Sequence, residues 1–99
     1  MSLRKSQSKF VEAIGKLIIV AYALGYELTF GDTYPGKHIH NPDGKHPLGL
    51  AIDLNIFKDG KYLTKTSDHK PLGIAWRALG GIWGGDFTNK DGNHYEWKR

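Results

Sequence analysis

The sequence predicts an α+β fold, a small antiparallel sheet packed against helices, and three patterns carry that prediction. Apolar residues recur at helical spacing along one long N-terminal stretch. Short strand-like runs follow, two of them joined by Asp59-Gly60, a dipeptide suited to the tight turn of an antiparallel hairpin. A second helical pattern then precedes a last short strand.

Taken in order, Phe10, Ile14, Leu17, Ile18, Ala21 and Leu24 define one helix face from about Ser6 to Leu24, and Gly25 supplies a C-terminal stop. Leu17 to Leu24 is an unbroken apolar run. Its eight residues are too few to cross a bilayer, and Arg4, Lys5, Lys9, Glu12 and Lys16 crowd the preceding turns. It therefore reads as a buried helix segment covering the sheet, with neither membrane insertion nor a signal peptide expected. Tyr26 to Phe30 alternates as a short strand with Tyr, Leu and Phe to one side, and Gly31 to Lys45 is a Gly-, Pro-, Asp- and Asn-rich loop able to border a cleft. Leu50 to Phe57 is apolar except for Asp53 and Asn55 and reads as the central strand. Asp59-Gly60 turns it into Lys61-Tyr62-Leu63. Ser67 or Asp68 then caps a second helix with Pro71 in its first turn; Leu72, Ala75, Trp76 and Leu79 face inward before Gly80-Gly81 ends it.

Ninety-nine residues without repeat, linker or low-complexity tract make a single domain, 1–99, with a modest core. No cysteine is present, so stability rests on packing and on any bound metal. A formal charge of +4 and a pI near 9.4 favour encounter with anionic polymers, cell walls and nucleic acids alike, without choosing between them.

The chemistry concentrates in His46, Asp53, Asp91 and His94. A catalytic zinc ion takes three protein ligands of His and carboxylate type and keeps one position open for water, so His46, Asp53 and His94 would complete a shell and leave Asp91 as a base. In unbroken strands the odd offsets, 46 to 53 and 91 to 94, would put the members of each pair on opposite faces. The backbone must therefore bend inside both pairs, and Pro47 with Gly49, and Gly92-Asn93, supply the bends. Asp53 in an otherwise apolar strand also calls for a partner, and a metal cation is the strongest available. Of the other histidines, His69 reads as a satisfied or exposed imidazole, and His38 and His40 as loop residues open to surface, substrate or metal contact. Asp86 reads as a turn residue.

These residues carry a family resemblance. His46-x-x-Gly49-x-Ala51-x-Asp53, then Asp91-x-x-His94-Tyr95-Glu96, with Trp83-Gly84-Gly85-Asp86-Phe87 between them, resembles the zinc-dependent D-alanyl-D-alanine carboxypeptidases and L-alanyl-D-glutamate endopeptidases of peptidase family M15, which trim bacterial peptidoglycan and include phage endolysins. The resemblance runs from about Tyr26 to Trp97. It implies a single zinc site in a cleft, ligated by His46, Asp53 and His94, with Asp91 as catalytic base and the peptidoglycan stem peptide as substrate. It further implies a monomer that binds no nucleic acid, made in the cytoplasm and reaching the wall on phage lysis. Tyr95 and Trp83 are expected at the substrate, and Glu96 or a nearby carbonyl as the group that orients a ligand imidazole.

Two positions depart from the family pattern. The usual Arg after the first strand is missing, since Pro35 follows Tyr34, and Gly44 stands where a Ser is usual two residues before the first ligand. Lys37 and Lys45 are the loop cations left to meet a substrate carboxylate, as mobile point charges instead of a fixed fork. That loss favours endopeptidase over carboxypeptidase action. It also motivates a rival reading, a non-catalytic wall-binding protein of the same fold. A metal-dependent nuclease using His40-Asn41 with Asp91 to His94 is a further rival, but it leaves Gly49-x-Ala51-x-Asp53 unexplained.

Overall fold

In a computed structural model that describes residues 2–31 and 48–99, the chain begins with helix α1 (Leu3–Ala23). The helix starts earlier than the apolar periodicity suggests because Ser2 caps it, its hydroxyl accepting from the Lys5 N–H at 3.2 Å; such a cap is worth ~1 kcal/mol. At the other end Gly25 adopts φ 90°, and the Gly25 and Tyr26 N–H groups return to the carbonyls of Tyr22 and Ala21. This is a left-handed glycine stop. The face turned inward is Ser6, Phe10, Ala13, Ile14, Leu17 and Ala21; Leu24, expected on it, is exposed.

The sheet contains β1 (Glu27–Phe30), β2 (Ala51–Lys58), β3 (Lys61–Leu63), β4 (Ile82–Trp83) and β5 (His94–Glu96). All pairings are antiparallel, in the order β1-β2-β5-β4, with β3 also on β2. The β2–β3 hairpin turns at Asp59 and Gly60, whose φ angles of 52° and 76° belong to the primed turn that suits the twist of paired strands. β2 is thus the hub. Its C-terminal half pairs with β1 and β3, and its N-terminal half with β5.

Helix α2 (Lys70–Ala78) follows a 3-10 turn at Thr66–His69, with Pro71 at its start as expected. The carboxylate of Asp68 accepts from the Lys65 N–H at 3.0 Å, so it caps the 3-10 turn and not α2 itself. Leu17, Leu50, Leu54, Ile56, Leu72, Trp76 and Tyr95 are fully buried between the helices and one face of the sheet. Each buried aliphatic side chain contributes ~1.5–3 kcal/mol. The half-exposed Arg77–Asp86 ion pair at 3.2 Å contributes at most ~1 kcal/mol, so packing holds the layers together.

Two indoles set the spacing of the second layer. The Trp76 N–H donates to the carbonyls of Ile82 and Glu96 at 3.1 and 3.0 Å, stitching α2 to β4 and β5. Trp83 lies against Gly73 and Gly85, where an added Cβ would collide with its ring. The opposite face of the sheet carries the chemistry.

Candidate metal centre

Strand register decides which side chains meet. Asp53 of β2 and His94 of β5 are direct cross-strand partners, so both project from the same face, the one turned away from the helical core. Glu96, two residues beyond His94, shares that face and stands opposite Ala51, whose small side chain leaves it room. Tyr95, between them, points the other way.

Asp91 reaches the same place through a turn. The His94 N–H donates to the Asp91 carbonyl at 3.1 Å, closing Asp91-Gly92-Asn93-His94 where the sequence calls for a bend. Three neighbours hold this turn. The Leu54 N–H donates to Asn93 O at 2.9 Å, the Asp91 N–H to Gly84 O at 2.9 Å, and the Trp83 indole to Gly92 O at 2.8 Å. Gly84 has no room for a side chain, since a Cβ there would strike the Asp91 carbonyl and come within 2.8 Å of the His94 Cβ. In the first motif, Gly49 adopts φ 70° in the turn that leads into β2, so a bend exists there as well.

The result is a cluster of Asp53, Asp91 and His94 whose candidate ligand atoms all lie within 4.8 Å of one another. His94 Nδ1 is 3.4 Å from Asp53 Oδ1 and 3.9 Å from Asp91 Oδ2, while Nε2 lies 2.7 Å from Glu96 Oε1. The side chains of His94 and Asp53 are 10% and 21% exposed and that of Asp91 is 53% exposed, so two members are held inward and the third stands at the rim. Phe87 packs its ring against the imidazole, centroids 5.4 Å apart, a support that its place after Trp83-Gly84-Gly85-Asp86 does not by itself reveal. Burial alone would lower the His94 pKa, but hydrogen bonds to Asp53 and Glu96 and their negative charges outweigh it and raise the pKa to about 9. The carboxylates of Asp53 and Glu96 thus surround the imidazole with negative charge.

Of the expected ligands, Asp53 and His94 are described, and their spacing suits zinc. Ligand atoms about 2.0–2.2 Å from a tetrahedral ion lie roughly 3.4 Å from one another, which is the Asp53 Oδ1 to His94 Nδ1 separation of 3.4 Å.

Of the other residues singled out in the sequence, His46, Lys37 and Lys45, with His38 and His40, lie outside the described residues. Trp83 and Tyr95, expected at the substrate, lie in the core, 4% and 0% exposed. Strand alternation puts Tyr95 on the helical side, where its hydroxyl meets the ring Nδ1 of buried His69 at 2.8 Å. His69 is thereby satisfied, and burial pushes its pKa down to about 4, partly offset by the charge of Asp68. Asp86 pairs with Arg77 at the surface.

An imidazole and two carboxylates that could hold a metal ion thus converge on the face of an α+β sheet turned away from the helical core. Residues 40–97 match the family model described as D-alanyl-D-alanine carboxypeptidase, and the chain belongs to that peptidase M15 family. Its fold is similar to that of the L-Ala D-Glu endopeptidase ChiX of Serratia marcescens, with a TM-score of 0.64 at 17% sequence identity over 94% of this chain and 86% of that one.

Proposed function

We propose that the protein is a zinc-dependent peptidoglycan hydrolase that cuts the stem peptide, by preference between L-alanine and D-glutamate. The observation that carries this reading is the cross-strand pairing of Asp53 with His94 and the turn that brings Asp91 to them, all within the segment that matches the peptidase family. Asp53 and His94, with His46 from the first motif, hold the metal; Asp91 is the base. A zinc ion bound there supplies Lewis acidity toward the scissile carbonyl and lowers the pKa of the attacking water.

The protein's own groups do the rest. Asp91 Oδ2, 3.9 Å from the imidazole, lies beyond hydrogen-bond reach of it and keeps its lone pairs for a water proton. Its exposed position at the rim lets it turn toward the leaving amine and return that proton.

The preference for an internal bond rests on the segment Gly31 to Lys45, which contains no Arg. Removal of a terminal D-alanine calls for a fixed two-pronged grip on a carboxylate, whereas an endopeptidase spreads its contacts along the peptide. The similarity in fold to an L-Ala D-Glu endopeptidase supports the same choice. Mass spectrometry of purified muropeptides after digestion tests it. Fragments ending at L-alanine are expected, free D-alanine as the sole product would establish carboxypeptidase action instead, and no release from sacculi by zinc-loaded protein would favour a wall-binding role.

A further inference from the structure

We propose that Glu96 is the positioning residue of the metal centre: by accepting the Nε2–H of His94, it fixes the imidazole with Nδ1 toward Asp53 and Asp91, so that Nδ1 is the ligand atom. This deepens the zinc reading above and rests on it. An imidazole has two nitrogens, and either can bind a metal; which one does is set by the hydrogen bond of the other. Here Glu96 Oε1 lies 2.7 Å from Nε2, a separation typical of a charge-assisted bond, whereas on the Nδ1 side Asp53 Oδ1 and Asp91 Oδ2, the other carboxylates of the cluster, stand at 3.4 and 3.9 Å.

The backbone enforces this division. Residues 94 and 96 of one strand share a face by the two-residue period, and Ala51 opposite Glu96 leaves its side chain free to lean along the strand to His94. Trp76 anchors the strand from the other side, donating to the Glu96 carbonyl at 3.0 Å, and Phe87 packs against the imidazole ring. Glu96 is 14% exposed at its side chain, so water competes poorly for the bond.

Zinc affinity of the full chain, measured by competition with a chromophoric chelator, tests the proposal in Glu96→Gln and Glu96→Ala. Both variants remove the charge, but only Gln keeps an acceptor oxygen. Glu96→Gln is therefore expected to bind zinc roughly tenfold more tightly than Glu96→Ala, within the 10- to 100-fold range typical for loss of such a partner. In a long-range proton–nitrogen spectrum of the zinc-loaded wild type, His94 should carry its proton on Nε2 and its metal on Nδ1. Equal zinc affinity in the two variants, or zinc on Nε2, overturns the role of Glu96 while leaving zinc binding intact. A wild-type protein that takes up no zinc would overturn the metal reading itself.

Discussion

Single side chains at this centre differ in what they can do because they differ in how they are held. Asp53 and His94 are fixed by strand pairing, while Asp91 stands exposed at the end of a turn. Asp91→Asn preserves size and polarity but cannot take a proton, so zinc content should persist while hydrolysis falls by on the order of a hundredfold or more. Loss of zinc in that variant, by elemental analysis, would make Asp91 a ligand. His69 makes a second prediction at this scale, on stability. Its folded pKa of about 4 lies below the unfolded value of 6.5, so the unfolded chain takes up a proton first as pH falls. The contribution is fully present above pH 6.5, is lost between there and about 4, and is then flat, a decline of about 3 kcal/mol. Denaturant titrations of metal-free protein should show a shallower decline over that window in His69→Gln; an unchanged slope would remove His69 as the cause.

Elements transmit these constraints through close backbone packing, and the turn from Asp91 to His94 depends on Gly84 most of all. Gly84→Ala would put a methyl group against the Asp91 carbonyl and the His94 Cβ, so the turn must move. A destabilisation of about 1–3 kcal/mol is expected, with weakened zinc binding, checked by thermal denaturation and chelator competition; wild-type affinity would mean that the turn does not position the centre. Much of this framework is legible in sequence. Helical spacing gives both helices, Asp59-Gly60 gives the hairpin, and the odd offset from 91 to 94 gives the bend that brings Asp91 to His94, whereas His46 lies outside the described residues. What escapes has identifiable reasons. The start of α1 is set by the Ser2 cap in a polar stretch without periodicity, and β4 at two residues is too short to show a period. Phe30 follows the apolar alternation of β1 yet is 62% exposed, because β1 lies at the edge of the sheet. Tyr95 is different: the alternation that aligns His94 with Glu96 already sends it to the opposite face, so its place in the core could have been read from the period alone.

In the molecule as a whole, a helix-backed sheet carries its chemistry on the face turned away from the helices. No helix among the described residues is long and apolar enough to cross a membrane, and the net charge of +4 suits approach to an anionic wall. Because a ligand that binds only the folded state stabilises it, zinc should raise the midpoint of thermal unfolding and a chelator should lower it, in proportion to free metal. A midpoint indifferent to both would argue against a resident ion. The most direct test of the central claim is zinc stoichiometry by elemental analysis in the wild type, His46→Ala and His94→Ala. One zinc per chain in the wild type and little in either variant is the predicted result; full occupancy in both variants would contradict it.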